Sequence, residues 1–417
     1  MGMTTERVAV IGAGVAGLTA AYLLRRRYDV LLFEAAPRLG GHAHTHDVPA
    51  RDGTVAVDSG FIVHNERTYP NLLRLFGELG VTTRESEMSM SVRCLGCGLE
   101  YAGARRLAGL FAQPRNAVRP RYLRMLGEVL RFHRHARRVL AGGGEDITLG
   151  EFAAGYSRYF TEHFLLPMVS AVWSAPEEMS RAYPVRYLFR FLAHHGLLSV
   201  GGSPTWRTVV GGSREYVERA AKGLTAMHVG TPVRAVHRTP DAVVVRDDGD
   251  ETHTVDRVVV ATHADEALAL LADPTPEERR VLGAFTYSRN ETWLHSDTSL
   301  LPVAAGARAS WNYLKPACGG SEKVLVSYDM NRLMGLGQER PYVVTLNATD
   351  RVDPSTVHAT MTYEHPVYTP ESVAAQRLLP NLTTVRFTYA GAYHGWGFHE
   401  DGCASGVRAA AAFGVAW

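Results

Sequence analysis

The sequence predicts an α/β protein in which a parallel-sheet domain is interrupted by an inserted α+β domain of mixed sheet and helices. Three segments predict the first domain: a β–loop–α–β unit within residues 5–36, an apolar strand at 255–262 that returns to the same sheet, and a closing strand and helix at 385–412. Between them, short strands and aromatic-rich helical segments predict the second domain. A parallel sheet built from such units is Rossmann-like.

The glycines of the first unit have the spacing of a dinucleotide-binding turn. Gly12, Gly14 and Gly17 form G-x-G-x-x-G directly after the apolar strand. The first makes a tight turn, the second lets a pyrophosphate approach the backbone, and the third lets the helix pack on the strand. Glu34, at the end of the second strand, can accept hydrogen bonds from both ribose hydroxyls. The positions expected to contact the dinucleotide are Gly12, Gly14, Val15, Ala16, Gly17, Glu34 and Ala35.

Length and charge fit a two-domain globular protein. A chain of 417 residues is longer than one compact core usually holds. We expect residues 1–84, 205–282 and 376–417 to form the nucleotide-binding domain, and residues 85–204 and 283–375 to form a substrate-binding domain. The net charge of +2 gives no case for nucleic acid binding, and the sequence leaves the oligomeric state open.

The chain has four cysteines, two of which lie close together in Cys94-Leu-Gly-Cys97. This pair is half of a zinc knuckle, but no second close Cys/His pair completes the four ligands that a structural zinc requires. We therefore predict a hairpin turn with two reduced thiols and no metal site, with a redox disulfide as the alternative. The low cysteine count and the lack of a signal peptide favour a cytoplasmic location.

Four further motifs follow in order along the chain. They are Arg38-Leu-Gly-Gly-His42, Val210-Gly-Gly-Ser-Arg-Glu-Tyr216, Val258-Val-Val-Ala-Thr-His263 and Tyr389-Ala-Gly-Ala-Tyr-His-Gly-Trp-Gly-Phe-His-Glu-Asp-Gly402. Together with the first glycines they resemble the FAD-dependent amine oxidase and phytoene desaturase superfamily, which includes protoporphyrinogen oxidases. Phrases such as Asp58-Ser-Gly-Phe-Ile-Val-His-Asn65 resemble more closely a bacterial branch described as NAD/FAD-binding proteins and associated with cyclopropane-fatty-acid synthases.

The resemblance implies a tightly bound FAD. It places Arg38 beside the pyrophosphate, where a guanidinium binds phosphate oxygens well, and the Gly40-Gly41 turn near the flavin. It also implies that the backbone at Val233 holds the adenine and that the helix opening at Asp401 directs its N-terminus towards the flavin. The cofactor-binding residues that the resemblance adds are Arg38, Gly40, Gly41, His42, Val233, Ala261, Gly391, Asp401, Gly402 and Ala404.

The same resemblance bears on catalysis. Amine oxidases of this superfamily place a lysine near flavin N5, whereas the corresponding strand here, residues 285–295, has Arg289 or Asn290 near that position. At one position of their aromatic cage this chain has His399. These departures favour dehydrogenation, desaturation or isomerisation at a C–C bond over amine oxidation. The candidate catalytic residues are His399 and Glu400, which can move a proton, and Asn290.

The association with cyclopropane-fatty-acid synthases implies a fatty acyl or lipid chain as substrate. The alternatives are an amine oxidase for a small amine or polyamine, a redox-neutral double-bond isomerase, and a non-catalytic flavoprotein partner of a lipid methyltransferase. The stretch from Arg105 to Leu140 carries ten arginines and one acid, Glu128. Such a basic amphipathic helix can rest on anionic lipid, which predicts peripheral contact with the inner membrane face; a solvated arginine-rich helix is the alternative.

Overall fold

The computed structural model of the protein describes residues 5–51, 53–103, 106–143, 146–198, 203–320, 323–348 and 350–417. Arg105, at which the arginine-rich stretch begins, lies outside the described residues.

The strands are β1 (Arg7–Ile11), β2 (Asp29–Glu34), β3 (Thr45–Ala50), β4 (Gly53–Asp58), β5 (Val63–Asn65), β6 (Thr83–Glu85), β7 (Met90–Cys94), β8 (Leu99–Ala102), β9 (Trp206–Val209), β10 (Ala226–Val229), β11 (Val233–Arg238), β12 (Val243–Asp247), β13 (Thr252–Val255), β14 (Arg257–Val260), β15 (Thr286–His295), β16 (Trp311–Lys315), β17 (Val326–Asp329), β18 (Val343–Leu346), β19 (Val357–Val367) and β20 (Phe387–Tyr389).

The α-helices are α1 (Val15–Leu24), α2 (Pro70–Leu79), α3 (Arg106–Leu110), α4 (Pro120–Ala141), α5 (Leu149–Ala153), α6 (Arg158–Phe160), α7 (Leu166–Trp173), α8 (Glu177–Arg181), α9 (Val185–His194), α10 (Arg214–Ala221), α11 (Ala264–Leu270), α12 (Pro276–Leu282), α13 (Met330–Met334), α14 (Pro370–Gln376) and α15 (His399–Ala412). A π-helical turn, Thr161–Leu165, joins α6 and α7 into one continuous helix.

A five-stranded parallel sheet carries the nucleotide-binding motif. Its order is β10-β2-β1-β14-β20, so the first strand lies centrally between β2 and β14. Val8 and Val10 pack with α1 and α15 on one face, whereas Ala9 and Ile11 pack with β11, β12 and α11 on the other. Both faces are therefore covered, which explains why the strand is apolar throughout rather than alternating.

A seven-stranded mixed sheet, of order β19-β15-β18-β17-β16-β7-β8, forms the second core. Its strands come from two separate parts of the chain, residues 90–102 and 286–367. Helices α4, α7 and α9 pack with it in a cluster rich in aromatic side chains. The predicted fold class, a Rossmann-like domain combined with an α+β domain, is confirmed.

The arginine-rich stretch is helical in three pieces. Helix α3 is followed by a 3-10 turn at Pro114–Val118, and α4 begins at Pro120. Proline lacks the N–H that an interior helical position requires, so both interruptions fall where the sequence places a proline. Within the described part of the chain, no helix is long and apolar enough to cross a membrane.

Candidate functional site

A cavity of about 1140 Å³ opens between the two large sheets. Its walls combine the carboxyl ends of β1, β2 and β14 with strands β7, β16 and β17 and helices α7 and α9. The carboxyl edge of a parallel sheet, at the point where strand order reverses, is the usual ligand-binding position in such folds. The volume exceeds the roughly 300–1,000 Å³ of an ordinary small-molecule site, so it has room for a large cofactor and a substrate together.

The first glycine motif lines one end of this cavity through Gly12, Gly14, Val15 and Ala16. A Cβ on Gly14 would meet no protein atom within 4 Å, which leaves the N-terminus of α1 open to a ligand. Gly12 has a φ of +97° and touches the backbone of Ala261, which also lines the cavity. Gly17 faces the protein instead, because its Cβ would lie 1.8 Å from the Gly12 carbonyl oxygen.

Glu34 lies at the carboxyl end of β2 and lines the cavity beside Ala35. Its carboxylate accepts hydrogen bonds from the backbone N–H groups of Ala13 and Ala36, each at 2.8 Å. These two bonds hold the carboxylate in place and leave lone pairs on both oxygens for further donors such as hydroxyl groups. Val233, at the start of β11, lines the same end.

The loop from Arg38 to His42 packs on the glycine turn, since the Gly40 N–H donates to the Ala13 carbonyl at 2.9 Å. Gly41 lines the cavity, and a Cβ added to it would lie 3.1 Å from the Gly14 backbone. Arg38 does not line it. Its guanidinium donates to the carbonyl oxygens of Leu39, Gly41 and Ala43, the Gly41 bond measuring 2.7 Å. These bonds shape the loop, and the expected contact of Arg38 with the pyrophosphate stays a prediction.

His42 lies at the centre of a group of aromatic and histidine side chains facing the cavity. Its ring centroid is 5.0 Å from that of Tyr363 and 5.3 Å from that of His365. Burial, together with neighbouring His365, lowers the pKa of His42 well below its usual value, and burial lowers that of His365 to about 4. Both imidazoles are thus neutral at physiological pH. The buried Nε2 of His42 has no hydrogen-bond partner within the described protein, so it is free for a ligand.

The glycine-rich loop after β20 reaches the cavity through Gly391, Tyr393, Gly397, Phe398 and His399. Three side chains from other elements fix this loop, since Trp173, Tyr187 and Gln376 donate to its carbonyl oxygens at 2.6 to 3.0 Å. The sequence predicted a functional loop here but not these anchors.

His399 opens α15 and faces the cavity. Its ring stacks on Phe61 with a centroid distance of 3.7 Å, and its Nε2 lies 2.8 Å from the Tyr216 hydroxyl. Burial, with His64 nearby, lowers the pKa of His399 to about 3, so the imidazole is neutral at physiological pH.

The other residues expected at the helix end lie behind the cavity wall. Asp401 caps the helix by accepting the Phe398 N–H at 2.9 Å, and burial raises its pKa to about 7. Gly402 packs against α1, since its Cβ would lie 2.6 Å from the Val15 side chain. Ala404 does not line the cavity. The N-terminus of the helix faces the cavity as expected, but through Phe398 and His399.

Two of the expected catalytic residues, Glu400 and Asn290, are not among the residues that line the cavity. Glu400 does not face the cavity: its carboxylate accepts the backbone N–H groups of Asn71 and Leu72, each at 3.0 Å, at the start of α2. Asn290 is 2% exposed and is held by hydrogen bonds to Ser288 and to Asn347. The Nδ2 atom of Asn290 also lies 3.1 Å from Nδ1 of His365, which does line the cavity, so the catalytic roles of both residues stay predictions.

The far end of the cavity is apolar. The described residues that line it are mainly aromatic or aliphatic: Met88, Met90, Val92, Tyr101, Phe164, Met168, Ala171, Val172, Trp173, Phe191, Leu197, Trp206, Trp311, Tyr328, Leu346 and Phe398. Among the described residues, the charged ones that line the cavity are Glu34, Glu266 and Glu364. Glu34 ends β2, Glu266 lies on α11 and Glu364 lies on β19, so none of them belongs to the apolar end. Sequence reasoning missed His365, Tyr363 and Glu364, because strand β19 carries no recognisable motif.

The model of the family described as flavin containing amine oxidoreductase matches residues 15–289. The chain belongs to this family. The protein is therefore an FAD-dependent oxidoreductase of the amine oxidase and desaturase superfamily, and FAD is its cofactor.

Solved structures of the same fold cover nearly the whole flavoprotein. Cyclohexylamine oxidase from Brevibacterium oxydans IH-35A has a TM-score of 0.72 at 15% identity, and the superposition covers 98% of this chain and 99% of the oxidase chain. A CLA-producing fatty acid isomerase from P. acnes has a TM-score of 0.66 at 15% identity, covering 96% and 97%. The chain spans only 10% and 12% of the curated relatives it matches. One of these, carotenoid phi-ring synthase of Chlorobaculum tepidum, is 35% identical over 79 residues, 19% of this chain.

The residues present in the flavoprotein fit FAD. The open space above Gly14 at a helix N-terminus suits a phosphate, and Glu34 at the end of β2 suits a ribose. The unpartnered Nε2 of His42 and the N-terminus of α15 face the space between the nucleotide end and the apolar end.

Proposed function

We propose that this flavoprotein oxidises a C–H bond of a long apolar chain, with a fatty acyl or lipid chain as the substrate class. One observation carries the proposal. Among the described residues that line the cavity, none from 85–204 and none on β16, β17 or β18 bears a formal charge at neutral pH. Apolar and aromatic walls stabilise a hydrocarbon chain by excluding water from it. A buried ammonium group, in contrast, needs a carboxylate or a set of aromatic faces to replace its hydration.

FAD, when bound, accepts a hydride equivalent from the substrate carbon. The remaining task for the protein is to take a proton from the neighbouring carbon, so that a C=C bond forms between the two carbons. We assign this task to His399, because its imidazole faces the cavity beside the apolar chamber. The Tyr216 hydroxyl holds the imidazole in position through its hydrogen bond at 2.8 Å.

Two alternatives have support of their own. The chamber contains Trp173, Trp206 and Trp311, whose ring faces could hold an amine cation, and cyclohexylamine oxidase has the same fold. A redox-neutral isomerase would return the hydride to the same chain, and the fatty acid isomerase from P. acnes also has this fold.

The test is anaerobic reduction of the purified holoenzyme. We expect the yellow flavin colour to bleach with oleate or with vesicles of oleoyl phospholipid, and mass spectrometry to find an acyl chain two hydrogens lighter. Bleaching by cyclohexylamine or putrescine but by no acyl chain would overturn the proposal in favour of amine oxidation. Movement of the double bond without lasting bleaching would instead identify an isomerase.

Replacing His399 tests the proton acceptor. We expect His399→Phe, which preserves ring stacking on Phe61, to bind FAD but to slow its reduction by substrate about 10²- to 10⁴-fold. Because burial lowers the pKa of His399 to about 3, the base is deprotonated throughout the neutral range, and the wild-type rate should show no inflection near pH 6.5 arising from this group. Stopped-flow traces from pH 5 to 8 measure both effects.

Tyr216→Phe is the matched variant, since it removes only the hydroxyl that contacts His399. A smaller loss of rate is expected for it. Equal reduction rates in His399→Phe and the wild type would remove His399 from the reaction.

We propose further that the arginine-rich segment contacts a lipid surface, which would deliver such a substrate. Leu107, Val118, Leu123 and Leu130 are exposed on α3, the 3-10 turn and α4, interleaved with arginines. Apolar side chains beside cations are the composition that binds anionic bilayers.

A further inference from the structure

Three cysteines and a histidine from distant parts of the chain converge near the β7–β8 edge of the seven-stranded sheet. Cys94 ends β7, Cys97 lies in the turn before β8, His163 lies in the π-helical turn, and Cys318 follows β16. One sulfur or nitrogen atom of each lies within 4.8 Å of all the others. The sequence offered no second close Cys/His pair for Cys94 and Cys97, whereas the fold brings His163 and Cys318, which are far away in sequence, beside them.

We infer that these four side chains form a tetrahedral site for a structural zinc ion. With zinc–sulfur bonds of about 2.3 Å and zinc–nitrogen bonds of about 2.0–2.1 Å, ligand atoms at tetrahedral angles lie about 3.5–3.8 Å apart. The Cys94 and Cys318 sulfurs are 3.8 Å apart, and His163 Nε2 lies 3.5 Å from the Cys97 sulfur and 3.8 Å from the Cys318 sulfur. Each of these three distances matches the separation of two ligand atoms in a tetrahedral zinc site.

The histidine is oriented for metal binding. Its Nδ1 lies 3.1 Å from the Tyr159 carbonyl oxygen, which can only accept, so Nδ1 carries the proton and Nε2 offers its lone pair to the cluster. This bond from the second ring nitrogen to a backbone carbonyl is the usual support of a metal-binding histidine. The Tyr159 ring stacks on the imidazole with a centroid distance of 4.2 Å, and the Tyr101 hydroxyl donates to the His163 carbonyl at 2.8 Å.

The cysteine turn also has the features of a metal-binding turn. The backbone N–H groups of Cys97 and Leu99 donate to the sulfurs of Cys94 and Cys97, an arrangement that stabilises thiolates. Gly98 takes a φ of +67°, and Gly96 packs so closely on the Cys318 backbone that its Cβ would lie 2.6 Å from that nitrogen. Four protein ligands leave no open position, so the ion would have a structural role rather than a catalytic one.

The site would fasten the helix formed by α6, the π-helical turn and α7 to the sheet edge. His163 points into the cluster, whereas the next residue, Phe164, and Met168 on α7 line the apolar chamber. A π-helical turn changes the direction of successive side chains, and such turns are frequent at functional sites. Zinc binding would therefore fix one wall of the chamber, whatever substrate the chamber takes.

The test uses the full-length holoenzyme, expressed without an affinity tag in zinc-supplemented medium. We expect mass spectrometry to find about one zinc per chain, and a thiol reagent to detect three more thiols after chelation than before. Replacing zinc by Co²⁺ should give a thiolate-to-metal charge-transfer band. Cys318→Ser should lose zinc affinity by more than the 10- to 100-fold effect of removing an outer-shell partner, because it removes a ligand.

Cys403→Ser is the matched control, since this fourth cysteine is buried against Thr19 in the nucleotide-binding part of the molecule. It should retain zinc, and so should Cys318→His, which restores a ligand at an exposed position. Wild-type protein with neither bound zinc nor chelator-released thiols would overturn the inference. So would a Cys94–Cys318 disulfide in protein purified from zinc-supplemented medium under reducing conditions, or equal loss of zinc in Cys403→Ser. FAD content is measured alongside, so that loss of the flavin is not mistaken for loss of the metal.

Discussion

Gly14→Val is expected to abolish FAD binding while leaving the fold intact. Gly14 has a φ of −70° and a ψ of −179°, an extended conformation that valine adopts readily. Its Cβ would meet no protein atom within 4 Å, so the new side chain would occupy only the space that a pyrophosphate requires. We expect FAD affinity to fall by about 3 kcal/mol or more, about 100-fold, measured by flavin fluorescence titration of the apoprotein.

Gly77→Val is the matched control, because its Cβ also meets nothing within 4 Å but lies on helix α2 away from the cavity lining. It should bind FAD normally. Circular dichroism of both variants should match that of the wild type. If Gly14→Val were purified with a full complement of FAD, the nucleotide could not lie over the N-terminus of α1.

Lys315→Met is expected to destabilise the protein severely. Lys315 on β16 and Glu177 on α8 form an ion pair at 2.5 Å, with side chains 0% and 1% exposed. The Tyr313 hydroxyl donates to the same Glu177 oxygen at 3.2 Å. Removing the cation leaves a buried carboxylate without its charged partner, which typically costs about 3–5 kcal/mol. Urea and thermal unfolding should report this loss.

The double variant Lys315→Met/Glu177→Met separates charge from packing. It should recover much of the lost stability, because replacing both partners of a buried pair by apolar side chains is often neutral or favourable. Lys222→Met, at an exposed lysine, should change stability by no more than about 0.5 kcal/mol. A Lys315→Met protein as stable as the wild type would mean that Glu177 has another way to satisfy its charge.

Local patterns predicted the nucleotide-binding end well, because the glycine turn, α1 and the acid at Glu34 are all close in sequence. The catalytic assignments depended on contacts that no local pattern encodes. Glu400, for example, caps a helix more than 300 positions away along the chain, at Asn71 and Leu72. The direction of Arg38 likewise follows from how its loop folds back on Gly40, and not from its residue type.

The cysteine cluster shows the same limit more sharply. Cys94 and Cys97 were recognised from their spacing, but His163 and Cys318 lie 66 positions from Cys97 and 224 positions from Cys94. His163 also lies in a π-helical turn, which no hydrophobic periodicity reveals. Ligands contributed singly by separate elements become visible only when the topology is known.

The glycines on the last helix have a consequence for motion. A Cβ at Gly402 or Gly406 would lie 2.6 or 2.3 Å from Val15 and Ala16, so α15 and α1 touch almost backbone to backbone. Such contact leaves little freedom for sliding, because close-packed interiors deform in discrete steps rather than continuously. We therefore expect the N-terminal ends of α1 and α15, which both line the cavity, to move together rather than independently.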